Sequence, residues 1–127
     1  MPSESTLGIY IHVPFCVRKC PYCDFYSVPQ TAERIEQYGT ALCRFLRQMQ
    51  TDLPVDTIYF GGGTPSLLPV SLLEEILQTI ARTVSLQQPE ITLECNPATV
   101  NRETLRQLRE IGINRLSIGV QSQCFTV

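Results

Sequence analysis

Three cysteines, Cys16, Cys20 and Cys23, fall within eight residues in the spacing C-x3-C-x2-C, close enough for one loop to bring three thiolates onto a compact metal centre. A closed structural zinc site needs four ligands, usually as two separated pairs, and the single histidine, His12, lies four residues upstream. Ferredoxin spacings differ from this one and supply four cysteines per cluster. On a four-iron cluster, three cysteines leave one iron open, and an open iron can be coordinated directly by a substrate or cofactor. Zinc and buried free thiols stand as the alternatives. Cys43, Cys95 and Cys124 are isolated; Cys43 lies in a helical pattern and Cys95 near a strand end, where cysteine ordinarily serves as a small buried apolar residue.

A second candidate is Gly61-Gly62-Gly63-Thr64-Pro65, which follows a short β-prone run. Glycines let a backbone approach a ligand closely and present its peptide groups. No Gly-Lys-Ser/Thr follows, so this is not a Walker loop, and the G-x-G-x-x-G dinucleotide pattern is absent. A simple tight turn is the plainer reading. Glu94 ends another run among apolar neighbours, where a carboxylate is costly unless exposed or paired; a ligand hydroxyl or ammonium would satisfy it. His12 reads as a structural strand residue, and no chemistry is assigned to it.

These groups need elements to hold them. Residues 7–13 alternate large apolar residues with others, predicting a first strand that Pro14 closes. Ile35, Tyr38, Leu42, Phe45, Leu46 and Met49 recur at helical spacing, predicting a helix over 31–50. Residues 56–60 predict a strand, and Leu72, Leu73, Ile76, Leu77, Ile80 and Val84 predict a helix after it. A third unit follows, with a strand over 90–94, Asn101 as N-cap, Leu105, Leu108 and Ile111 as the buried stripe, and Gly112 as the stop. Residues 115–119 supply a fourth strand. This rhythm predicts right-handed βαβ units in a parallel sheet, either doubly wound or curving into a barrel, with ligands at the carboxyl ends of the strands. The cysteine loop, the glycine loop, Glu94-Cys95-Asn96-Pro97 and Gly119-Val120-Gln121-Ser122 all follow predicted strands. A barrel needs more strands than these four, so the sheet is expected to end on an uncovered edge.

The 127 residues carry a formal charge of −2, with ten basic residues scattered along the chain, an arrangement that offers no footprint for nucleic acid or an anionic membrane. No basic n-region precedes the first apolar run, and no run approaches the ~18 apolar residues of a membrane span. The expected setting is cytoplasmic, with no transmembrane segment and small-molecule partners. Reduced thiols there favour metal binding over a disulfide framework.

The C-x3-C-x2-C spacing, with Tyr22 just before the last cysteine, resembles the signature of radical-SAM proteins. The resemblance implies a [4Fe-4S] cluster held by Cys16, Cys20 and Cys23. Its free iron would be chelated by the amino and carboxylate groups of S-adenosyl-L-methionine (SAM), and one electron from the cluster would release a 5′-deoxyadenosyl radical. It also implies that Gly62, Gly63 and Thr64 hold the methionine end of SAM, and that Glu94, Gln121, Tyr22 and Tyr10 are further cofactor contacts. Tyr10 belongs to the approach Tyr10-x-His12-x-Pro14-Phe15-Cys16; without the resemblance it reads as a core tyrosine. Arg18 and Lys19, near an anionic cluster, would help tune its potential.

Residues 8–25, 61–66 and 116–122 are similar to the branch of oxygen-independent coproporphyrinogen III oxidase and its heme-chaperone relatives. The oxidase, which decarboxylates a porphyrinogen in heme biosynthesis, carries an additional cysteine two residues after the third. Phe25 stands at that position, and Cys23-Asp24-Phe25-Tyr26-Ser27 looks like the chaperones, which bind a cluster and heme and hand heme to acceptor proteins. The resemblance therefore implies a partial (β/α) radical-SAM barrel of about four parallel strands and three helices. Residues 1–127 would be the N-terminal portion of the core domain, with the remaining strands and a C-terminal domain absent. The implied partners are SAM, heme or a porphyrinogen, an electron donor and a heme-acceptor protein. A truncated product without function is the third expectation.

Overall fold

The computed structural model describes residues 5–16, 28–29 and 31–118. The strand β1 (Leu7–Val13) leads into a two-residue ladder in which β2 (Phe15–Cys16) pairs in parallel with β3 (Val28–Pro29). The helix α1 (Ala32–Arg47), the strand β4 (Val55–Gly62), a short 3-10 turn (Pro65–Leu67) and the helix α2 (Val70–Thr83) follow. The chain continues through β5 (Leu86–Cys95), a second 3-10 turn (Pro97–Thr99), the helix α3 (Arg102–Glu110) and β6 (Arg115–Ile118).

The local reasons are those read from the sequence. Thr31 caps α1, its hydroxyl accepting from the Arg34 amide at 3.1 Å, and Glu33 sits in the first turn with Arg44 and Arg47 in the last, as the helix dipole favours. Helix α1 stops at Arg47 instead of Gln50, because the amides of Gln48 and Met49 turn back onto Phe45 and Leu46. Asn101 caps α3 through its side chain on the Thr104 amide at 2.8 Å. Gly112, at φ +116°, ends the helical path.

β1, β4, β5 and β6 form one parallel sheet in that spatial order. Consecutive order decides between the two architectures left open by the periodicity. A doubly wound sheet reverses its order at a switch point, whereas crossovers of one hand between successive neighbours put every helix on the same side. The core agrees: Ile11, Val13, Ile58, Phe60, Ile91, Leu93 and Cys95 point to one face and are buried in one cluster with Leu46 of α1, Leu73, Ile76 and Ile80 of α2, and Leu108 of α3. Cys43 joins that core, so Cys43 and Cys95 are the buried residues the sequence predicts.

β5 starts four residues before the predicted strand. Between the pairs Val55↔Leu86 and Thr57↔Glu90 the register shifts, and the bulge holds Gln88 at φ +42° with Pro89 next to it. The bulge is closed from β6's approach: the Asn114 side chain accepts from the Ile91 amide at 2.8 Å and donates to the Pro89 carbonyl at 3.0 Å. Among the described residues, no helix is long and apolar enough to cross a membrane.

Candidate functional site

The face of the sheet turned away from the helices carries the alternate residues. Tyr10, Tyr59, Thr92 and Arg115 lie in one register row across the four strands. One step toward the carboxyl ends, His12 pairs with Gly61 and Glu94 with Ser117. Tyr10, His12 and Arg115 are exposed, Tyr59, Glu94 and Ser117 half-buried, and Gly61 and Thr92 buried. A polar row on a parallel sheet departs from the usual two-sided apolar covering, and it marks this face as the one available to a ligand.

Glu94 is held from two sides. The Tyr59 hydroxyl donates to Oε2 at 2.6 Å, and the Gly62 amide donates to Oε1 at 3.2 Å. The hydrogen bond to Glu94, with burial second, pushes the Tyr59 phenol above its ordinary pKa of 10. Tyr10 stacks on Tyr59 with ring centroids 5.7 Å apart and planes 13° off parallel. Gly61 makes room for both rings, since a Cβ there would stand 2.7 Å from the Tyr10 hydroxyl and 2.9 Å from Cε1 of Tyr59.

The glycine turn is shaped by its own backbone. Gly62 sits at φ +111°, and a Cβ on it would meet Nδ1 of His12 at 2.7 Å and the Val13 carbonyl at 2.8 Å. The Gly63 amide donates to the Val13 carbonyl at 2.7 Å, and the Thr64 amide to the Phe15 carbonyl at 2.6 Å. The turn thus continues the β1 to β4 ladder past the strand end and locks it to the residues entering the cysteine loop. The amide donors of Gly62, Gly63 and Thr64 are spent within the protein, Thr64 is buried, and its carbonyl accepts from the Leu67 amide at 2.9 Å.

The turns after β4 and β5 are laced together. Ser66 and Thr99 share a hydroxyl contact, and the Asn96 amide donates to Ser66 Oγ at 3.2 Å. Behind β1, the Tyr38 hydroxyl donates to the His12 carbonyl at 2.7 Å and its ring meets Phe15 edge-on at 5.5 Å; burial raises that phenol's pKa to about 12. Burial also raises the Cys95 thiol, which suits a structural cysteine rather than a ligand. A groove of about 710 Å3 between the first turns of α1 and α2, lined by Ile35, Gly39, Leu72 and Glu75 among others, lies in the helix layer and contains none of the expected site residues.

Of the residues singled out in the sequence, Gly62, Gly63, Thr64 and Glu94 are brought to the carboxyl ends of β4 and β5, and Tyr10 to the middle of β1 one step below them. The backbone of Cys16 is placed in β2, beside that end of the sheet. Cys20, Tyr22, Cys23 and Gln121 lie outside the described residues. Tyr59 was missed; the only signal for it was an aromatic two residues before the glycines, and its partner stands 35 positions away.

The family model for the Radical SAM superfamily matches residues 10–122. The heme chaperone HemW of Haemophilus influenzae is 38% identical over 133 residues, covering 96% of this chain and 34% of that protein. The heme chaperone HemW of Escherichia coli strain K12 is 40% identical over 123 residues, covering 91% of this chain and 32% of its own length. In structure, the chain is similar to the coproporphyrinogen III oxidase HemN of Escherichia coli, described as a radical SAM enzyme, with a TM-score of 0.82 and 28% identity over 93% of this chain and 28% of that one. The four parallel strands and three helices therefore match the radical-SAM barrel, and the chain spans about a third of the length of the curated relatives named here.

Proposed function

Because the chain belongs to the radical SAM superfamily, we propose that residues 1–127 are the N-terminal part of a radical-SAM core domain with the function of a cytoplasmic heme chaperone, which binds a [4Fe-4S] cluster, SAM and heme and passes heme to an acceptor protein. The observation that carries this reading is the convergence of the Gly62 turn and Glu94 beside the strand that runs into Cys16. In this reading Cys16, Cys20 and Cys23 hold the cluster, and Tyr10, Tyr22, Gly62, Gly63, Thr64, Glu94 and Gln121 serve SAM.

The donor set fits those groups. Three thiolates suit iron and leave one iron for an outside ligand. The half-buried Glu94 carboxylate is an acceptor, suited to a ligand rich in ammonium and hydroxyl donors, and the Gly62 cradle closes if a side chain is added. One-electron reduction of a sulfonium is the chemistry such a pair supplies when bound. The chain's own contribution is positional: the β1 to β4 ladder sets the distance between the cysteine loop and the glycine turn, and Glu94 is oriented by Tyr59 and Gly62.

Coproporphyrinogen III oxidase is the second reading, supported by the structural similarity to HemN. Phe25, at the position of the oxidase's additional cysteine, favours the chaperone.

The test is anaerobic reconstitution of the chain with iron and sulfide, with iron content and thiolate-to-iron absorbance recorded for wild type and Cys20→Ala. About four irons per chain in wild type, lost in the variant, followed by saturable SAM and heme binding, is the expected result. A folded, colourless wild type would remove the cluster and the reading with it. Heme binding without decarboxylation of a porphyrinogen separates chaperone from oxidase.

A further inference from the structure

We infer that Tyr59 is a positioning residue of the cofactor site, fixing the Glu94 carboxylate in the orientation in which it meets SAM; this deepens the proposed function and rests on it. Tyr59 faces Thr92 in the register, and Glu94 lies two residues further toward the carboxyl end. The phenol therefore reaches diagonally, along the strand direction and toward the ligand end, to make its 2.6 Å bond. Gly61 is what permits this lean, because any side chain there would strike Cε1 of Tyr59. Tyr10, stacked on the opposite side of the ring, prevents it from swinging back.

The pairing has no part in the buried core. Both residues are half-buried on the face away from the helices, where a carboxylate otherwise samples several rotamers in water. One donor on each oxygen, Tyr59 on Oε2 and Gly62 on Oε1, removes that freedom while leaving each oxygen further acceptor capacity. A ligand then meets a carboxylate already oriented, and less ordering entropy is lost on binding. The groups facing Tyr59 are Tyr10, Glu94, Ser117 and Arg115; of these, Glu94 makes the dominant contact.

The test uses the reconstituted chain and SAM itself as probe. Tyr59→Phe keeps the ring and should weaken SAM binding by roughly three- to tenfold, the scale of one ordinary net hydrogen bond, with iron content unchanged. Glu94→Gln should weaken it more, and the double variant should lose little beyond Glu94→Gln alone, since Tyr59 acts through Glu94. A second measurement leaves Tyr59 in place: alkaline titration of the phenolate absorbance should show one tyrosine ionising at lower pH in Glu94→Gln than in wild type, and that tyrosine should be missing in Tyr59→Phe. Wild-type affinity in Tyr59→Phe, additive losses in the double variant, or identical titrations would each overturn the assignment. Failure of wild type to take up iron or SAM is a separate result, which sinks the functional reading and this role together.

Discussion

The two faces of the sheet are built from the same strands and differ by a single residue step. On one side Ile11, Ile58, Phe60 and Leu93 are buried to within a few per cent. On the other, Tyr10, His12, Tyr59, Glu94 and Arg115 meet solvent or one another. Consecutive strand order is the cause: with the crossovers through α1, α2 and α3 on one side, none of these helices covers the second face and its side chains are free to be polar. The core and the proposed site thereby occupy alternate positions of one backbone, and a substitution at one residue should not read like a substitution at the next.

Phe60 and Tyr59 give the sharpest version of this contrast. Phe60→Ala should cost about 3–5 kcal/mol, the range for emptying a fully buried aromatic site, seen as a lower urea midpoint. Tyr59→Phe, one residue away, should leave that midpoint nearly unchanged. A Phe60→Ala protein as stable as wild type would break the division of labour between the faces.

Gly62 lies where the faces meet. Gly62→Ala should destabilise by about 1–3 kcal/mol, because a non-glycine residue is strained at positive φ and its Cβ would press on His12. It should also impair SAM binding out of proportion to that loss, measured at a temperature where the variant is fully folded. Loss of stability with intact binding would place the turn on the structural side of the comparison.

Tyr38 gives the smallest expected effect and a pH signature. Its phenol is neutral in the fold with a pKa near 12, against an ordinary value of 10, so the folded state holds its proton more tightly than the unfolded state. That contribution is fully present below pH 10 and is lost as pH rises toward 12. Stability of wild type should therefore fall across this alkaline window, and Tyr38→Phe should flatten part of the decline while losing the anchor on the His12 carbonyl at neutral pH. Equal slopes for both proteins, read from urea midpoints against pH, would show that this phenol is not what couples the helix layer to alkali.

Much of the architecture was legible because it is local. β1 has the predicted bounds, Asn101 caps α3, and Gly112 ends it, each set by residues within a few positions of one another. β5 was read short because Gln87, Gln88 and Pro89 break the apolar alternation, and the group that makes their bulge tolerable, Asn114, lies 25 residues from Pro89. Periodicity left doubly wound and barrel-like winding open, since it carries no information on strand order; the barrel came from the resemblance carried by the cysteine motif, and the structural similarity bears it out. At the site, the glycines and Glu94 could be marked from residue type and position, but the phenol that orients Glu94 could not, because Tyr59 meets it only through parallel register. Thr64, expected at the ligand from the resemblance, takes its place in the turn after β4 with its amide donated to the Phe15 carbonyl, a contact that neighbouring sequence does not reveal.

A glycine-rich turn after a strand invites comparison with phosphate-binding loops, whose backbone amides point outward at an anion. Here the polarity is inverted. The amides of Gly62, Gly63 and Thr64 are directed to Glu94, Val13 and Phe15, and the charged group beside the turn is a carboxylate. With these three amides already given within the protein, the turn has none of them to offer a nucleotide phosphate, which is the polarity the proposed preference for a cationic nucleoside requires.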